Sequence, residues 1–432
     1  MHFPVICAIL YLRTIKSTRK KDPLVMKVLI LSCNTGGGHN AAGRALYEEF
    51  HRRGIDCEFL DTLSFAGPRA SKQASSIYIN VTTKTPMLFQ LAYNIAHWIS
   101  SPHRKSIVYA FNRKYALKLG QYIEENHFDA IVMPHLFPAE AITYLKKKRN
   151  LSVRTYAVAT DYTCIPFWEE TQPDYFFIPH RELSREFIRS GIPREKLVPL
   201  GIPVQRTFGV RRDQKEARQA LGLPTEGRMI LLMSGSMGYG HLGQMASQLY
   251  KEYGTRLSLV ILCGNNEKIQ EKLKKQFAAY SNIFVVNYTE QVSLYMDAAD
   301  LLLTKPGGLT STEAASKKIP LVLTDPIPGC ETQNASFFER HGLALVPEKK
   351  ADYITAVRTL LDDAATRERM QAAQELYVDP TAAAQICGFI LADCGYLEPA
   401  AQATDTAPDT NAAEHSVPAD TISSHTDDQS SN

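Results

Sequence analysis

The chain has 432 residues, 44% of them apolar, and a formal net charge of +3. That length is too great for one core and suits two domains with tails, and no apolar run approaches the ~20 residues that span a bilayer. Eight scattered cysteines without a Cys-x-x-Cys pair argue against a disulfide framework or a thiolate metal site and fit reduced cytosolic thiols.

In chain order, "VICAILYL" (5–12) is short and its basic residues follow it, the wrong order for a secretory signal. "MKVLIL" at Met26 reads as a natural start, which leaves residues 1–25 as an N-terminal extension. "KVLILSC" (27–33) predicts a strand and runs into "SCNTGGGHNAAG" (32–43), where Gly37 and Gly38 end a glycine run closed by His39. Over residues 40–53, Ala42, Leu46 and Phe50 recur at helical spacing and can face a sheet. Residues 62–123 then hold eight Lys/Arg and no Asp/Glu. Inside this window Leu88, Leu91, Ile95 and Trp98 form one apolar stripe and Val108, Phe111, Tyr115 and Leu119 another. Around them lie Lys84, Arg104, Lys105, Arg113, Lys114 and Lys118. Two readings stand: stripes that belong to the core, or a peripheral face for an anionic leaflet. No nucleic-acid recognition motif accompanies the charge, so nucleic acid is not the expected partner.

Further strands are predicted at 57–61, "AIVMP" (130–134), "TYAVATD" (155–161) and "YFFIPH" (175–180). "PLGIPV" (199–204) marks a turn into a linker, after which strands are expected at 228–235, 258–264, 283–288, 300–305, 321–325 and "ALVP" (344–347). Strands alternating with helices predict an α/β chain of two doubly wound domains, 26–204 and 205–396, with ligands at the carboxyl ends of the strands. A last helical pattern at 381–395 is free to return to the first domain. Residues 397–432 hold seven Asp/Glu and no Lys/Arg, and are expected to be disordered.

"SGSMGYGHL" (234–242) again follows a strand and precedes a helix, and its backbone N–H groups can approach a phosphate. It is neither a Walker A loop nor GxGxxG. The sharper signal is "TKPGGLTSTEAASKKIPLVLTDPIPGCETQNASFF" (304–338). Successive strand ends there present Glu313, then Glu331, Gln333 and Asn334, the paired donors and acceptors that sugar hydroxyls demand. Glu313 alone also reads as a capping-box carboxylate, and His39 as a loop histidine bonded to its own backbone.

"SCNTGGGH", "SGSMGYG" and "KPGGLTSTEA…PIPGCETQNA" together resemble the glycolipid-forming glycosyltransferases of the two-Rossmann GT-B fold. These are the processive diacylglycerol glucosyltransferases of bacteria and the monogalactosyldiacylglycerol synthases of plastids, related to the transferase that adds N-acetylglucosamine to the peptidoglycan lipid precursor. The resemblance implies that His39 deprotonates the acceptor hydroxyl, with Gly37, Gly38, His135, Asp161 and Trp168 on the acceptor side. It implies a donor site of Gly235, Ser236, Met237 and Gly238 for the diphosphate, Gly308, Leu309, Thr310 and Glu313 toward the uridine, and Glu331, Gln333 and Asn334 for the sugar. The expected partners are a UDP-sugar, diacylglycerol and anionic lipids, and the expected place is cytoplasmic, peripheral on the inner face of the membrane. Residues 26–396 contain no Asp-x-Asp triplet, so inverting transfer without a metal or other cofactor is expected. N-acetylglucosamine transfer onto the peptidoglycan precursor and a UDP-sugar sensor without turnover remain as alternatives.

Overall fold

A computed structural model of the chain describes residues 26–34, 37–67, 69–73, 76, 91, 93–96, 100–101, 105–235, 241–348 and 352–396. Residues 1–25, Lys84, Leu88, Trp98, Arg104, Ser236, Met237, Gly238 and the tail 397–432 lie outside them. Strands β1 (Lys27–Ser32), β2 (Asp56–Asp61), β3 (Ala130–Met133), β4 (Arg154–Val158), β5 (Tyr175–Phe177) and β6 (Leu197–Val198) form one parallel sheet in the order β2-β1-β3-β4-β5-β6. Strands β7 (Arg228–Met233), β8 (Leu257–Leu262), β9 (Ile283–Val286), β10 (Leu301–Thr304) and β11 (Leu321–Leu323) form a second, ordered β11-β10-β7-β8-β9. Every pairing is parallel, and the strands are apolar almost throughout because helices cover both faces. The expected strand at 344–347 is reduced to a bridge between Val322 and Leu345.

The helices that build the crevice are α1 (Gly37–Arg52), α2 (Ile107–Asn126), α3 (Leu136–Arg149), α4 (Ser184–Arg189), α5 (Gly308–Ser316) and α6 (Cys330–Arg340). Helix α1 starts inside the glycine run, three residues earlier than the sequence pattern predicts. The last helix, α7 (Ala382–Asp393), buries Ile386, Cys387, Ile390 and Leu391 against Val28, Ile30, Phe50 and Tyr156 of the first lobe. Asp393 fixes it there, accepting two bonds from Arg154 and one from Tyr156 Oη at 2.7 Å. A second domain drawn as 205–396 therefore extends too far: residues 382–393 complete the first lobe, as the apolar stripe of this helix allows.

Candidate active site

In the first lobe β1 lies between β2 and β3, so the winding reverses there and a crevice opens at the carboxyl ends of β1 and β3. The end of β1 delivers His39 in the first turn of α1, and the end of β3 delivers Pro134 and His135. His39 Nδ1 lies 2.9 Å from Pro134 O and 2.8 Å from Thr160 Oγ1. A carbonyl can only accept, so Nδ1 carries the proton and Nε2 the lone pair. No described residue bonds Nε2. Burial pushes the imidazole below its ordinary 6.5, while the Asp161 carboxylate and the Pro134 carbonyl pull the other way. The positive end of α1 also disfavours a charged ring.

His135 sits against it, ring centroids 4.6 Å apart and nearly perpendicular. Its Nδ1 accepts the Phe137 N–H at 3.0 Å, capping α3, so its proton is on Nε2. Burial holds His135 well below the usual imidazole range, with His39 as a second cause. The two rings can touch because neither is charged.

The second lobe repeats the device: β7 lies between β10 and β8, and its crevice receives Gly235 from β7 and Lys305 from β10. Gly235 has a φ of +69°, and a Cβ on it would stand 3.0 Å from Lys305 Cε. The Lys305 ammonium pairs with Glu331, whose other oxygen accepts the Ile327 N–H at 2.8 Å. Glu313 is the sixth residue of α5, whose N-cap is Gly307, and so is not part of a capping box. It is 8% exposed, no described residue hydrogen-bonds its carboxyl, and burial raises it from 4.5 to about 8. A buried carboxyl without a partner is costly unless a ligand supplies donors.

The lobes meet closely. A Cβ on Gly308 would stand 2.1 Å from the Thr160 carbonyl, and one on Gly38 would touch Leu309 at 3.7 Å. Tyr162 of the first lobe inserts into the second, stacked on Phe337 with centroids 4.6 Å apart and 2.9 Å from Thr312 Oγ1 through its hydroxyl. Asn334 clasps the seam, accepting the Tyr162 N–H at 2.6 Å and donating to Asp161 Oδ1 at 2.8 Å and Pro306 O at 3.1 Å. Both its N–H groups are thus used by the protein rather than left for a sugar. Tyr93, from the basic window, covers Gly329 ahead of α6.

Other expected residues separate. Trp168 is 3% exposed and packs edge-on against Phe176 within the hydrophobic core. Gln333 is exposed and Thr310 half-buried. In the basic window the core reading holds for Tyr115 and Leu119, but Leu91, Ile95, Phe111 and Leu117 are exposed, and Ile107 is 87% so. Arg113, Lys114 and Lys118 share that exposed surface. Lys105 is exposed as well, while its ammonium donates to Glu170 O and lies 4.9 Å from the Tyr109 ring. Thr160 and Tyr162 line the crevice without having been singled out in the sequence, and Lys305, just past the end of β10, stood in the motif without a role.

Two Rossmann-like lobes, with the His39 imidazole on one wall of the crevice and Lys305, Glu313 and Glu331 on the other, have the GT-B architecture of glycosyltransferases. Residues 39–204 match the family model for monogalactosyldiacylglycerol (MGDG) synthase, and residues 229–385 that for the glycosyltransferase family 28 C-terminal domain. The first match falls in the first lobe and the second in the other, and together they mark the chain as a hexosyltransferase. It is 28% identical over 84% of its length to the processive diacylglycerol beta-glucosyltransferase of Bacillus cytotoxicus, covering 93% of that protein. With the Bacillus mycoides protein of the same name the identity is 27% over 86% of this chain and 95% of the relative. In fold alone it is similar to MurG of Acinetobacter baumannii (TM-score 0.55, 15% identity, 84% of this chain and 99% of that one). It is likewise similar to S. aureus MnaA with UDP (TM-score 0.57, 16% identity, 87% and 98%).

Proposed function

We propose that this chain transfers a hexose, glucose, from a UDP-sugar to the free hydroxyl of diacylglycerol, with inversion and without a metal in the scheme. The observation that carries this reading is His39: a neutral imidazole whose Nδ1–H is fixed by Pro134, leaving Nε2 as the base opposite Glu313 and Lys305. Nε2 takes the acceptor proton as the acceptor oxygen bonds to the anomeric carbon, and the bond from that carbon to the diphosphate breaks. Such a base is worth roughly 10²–10⁴-fold. The imidazolium that forms is stabilised by Asp161. The departing diphosphate meets the Lys305 ammonium and the backbone at Gly235, preorganised for negative charge. Glu313 accepts from the ribose hydroxyls, and Glu331 lies within reach of the sugar.

The exposed face of α2 sets Ile107, Phe111 and Leu117 beside Lys114 and Lys118, the composition of a surface that rests on an anionic leaflet. Docking there lets the acceptor be reached without leaving the membrane, on its inner face. The product keeps a free sugar hydroxyl, so a second transfer is chemically open to it. The deciding experiment incubates the full chain with diacylglycerol vesicles and UDP-glucose, UDP-galactose or UDP-N-acetylglucosamine, followed by analysis of the lipids. Glucosyl-diacylglycerol is the expected product; transfer only from UDP-N-acetylglucosamine, or UDP binding without transfer, would overturn the reading.

A further inference from the structure

Away from the donor crevice, the seam between the lobes opens into a second basin of about 640 Å³. Arg181, Arg185 and Arg189 line it from the first lobe and Arg340 from the second, together with Glu182 and Glu186. The turn Arg181–Leu183 runs straight into α4, and a spacing of four places the three arginines along one face. Arg340 closes the last turn of α6.

Four guanidinium groups around one basin repel one another unless anions intervene. Both carboxylates on the wall have other commitments. Glu186 Oε1 accepts from the Thr163 hydroxyl and from the Cys164 N–H at 2.7 Å, and Glu182 Oε2 lies 3.0 Å from His341 Nε2. Arg340 approaches the Phe337 ring at 5.9 Å. None of the four arginines makes an ion pair or a side-chain hydrogen bond with a described residue. All four arginines are exposed and line the one basin without a described ion-pair partner.

We propose that this basin binds a phosphate-bearing anion that bridges the two lobes, held by Arg181, Arg185 and Arg189 on one side and Arg340 on the other. Guanidinium forks match the oxygens of a phosphate two at a time, and a phosphate offers enough acceptors for forks from both walls, which a carboxylate does not. The basin is open and roomier than a bare phosphate needs, which leaves space for the remainder of an esterified phosphate, a soluble phosphate ester or a lipid headgroup. Occupancy ties the end of α6 to the first lobe, and the first turn of that helix carries Glu331.

The test uses the full chain saturated with UDP, so that the donor crevice cannot report. Inorganic pyrophosphate is titrated by calorimetry. In parallel, vesicles of phosphatidylcholine with and without phosphatidylglycerol are tested by cosedimentation. At least one probe is expected to bind, and Arg185→Gln and Arg340→Gln each to weaken it about tenfold, the loss expected for one charge-assisted contact. Arg185→Lys should lose less, and Arg194→Gln, outside the basin, should lose nothing. Melting temperature and UDP affinity should stay at wild-type values in every variant. Pyrophosphate binding that depends on the arginines identifies a soluble phosphate compound, and vesicle binding with that dependence identifies a headgroup. The proposal fails if neither probe binds, if the basin variants bind as tightly as wild type, or if Arg194→Gln weakens binding as much as Arg185→Gln.

Discussion

At the first lobe's switch point, between β1 and β3, the polar groups are largely spoken for by the protein: His39 Nδ1 by Pro134 and Thr160, His135 Nδ1 by the Phe137 N–H. At the second lobe's, between β7 and β10, Glu313 has no hydrogen-bond partner among the described residues, and Lys305 and Glu331 hold each other, with one backbone N–H on the carboxylate. The same topology thus serves opposite ends. For His39 as the proposed base this fits, because a base must be held in one tautomer before the substrate arrives. A binding wall must exchange its bonds for those of a ligand, so it keeps them unmade or replaceable.

The strongest challenge to this contrast is His39→Ala. Turnover should fall roughly 10²–10⁴-fold, with UDP affinity by calorimetry unchanged; a parallel loss of UDP binding would mean that the ring belongs to the donor side. In wild type, activity should fall on acidification only below pH 6.5, since burial places the ring below its ordinary value.

Glu313→Gln should do the reverse, weakening UDP binding by roughly 10–100-fold if two charge-assisted bonds to the ribose are lost. Because burial raises the folded-state value from 4.5 to about 8, the protonated carboxyl favours the fold below pH 4.5. That contribution is lost as pH climbs through about 8. Ligand-free melting temperature should decline over this window, less so in the Gln variant. UDP binding near neutrality should release protons, detectable as a dependence of the binding heat on the buffer.

Gly308→Ala tests the join between the two walls. With its Cβ placed 2.1 Å from the Thr160 carbonyl, the lobes must shift. A loss of about 1–3 kcal/mol in denaturant titration and a marked drop in kcat are expected. The smallest effect concerns the exposed face of α2: Lys114→Gln and Lys118→Gln should each cost about 1 kcal/mol in binding to anionic vesicles at low salt, and less at high salt.

Much of this was readable from the residues in order. Apolar runs alternating with helical patterns give the two parallel sheets, and the strand-end motifs bring His39, Gly235, Glu313 and Glu331 to the crevice. What order does not encode is who already has a partner. Asn334 looked available for a sugar, yet its amide is consumed by Tyr162, Asp161 and Pro306 across 172 residues of chain. Trp168 looked like an acceptor-side aromatic, but its neighbour Phe176 absorbs it into the core. Tyr162, next to the conspicuous Asp161, is a packing peg whose partners lie in the other lobe. Pairing between the lobes decided the cases of Asn334 and Tyr162, and local pattern carries no record of it.

Helix α7 has a bearing on biosynthesis. The hydrophobic side of the first sheet, with Val28 and Ile30, and Phe50 of α1 are covered by residues that a ribosome adds only after the whole second lobe. An emerging first lobe must therefore wait, half-dressed, for a segment some 350 residues downstream of its first strand. The chain also crosses between lobes twice, once near residue 205 and again before Ala382, so the two halves are laced together at both ends and will not survive being cut apart at the linker.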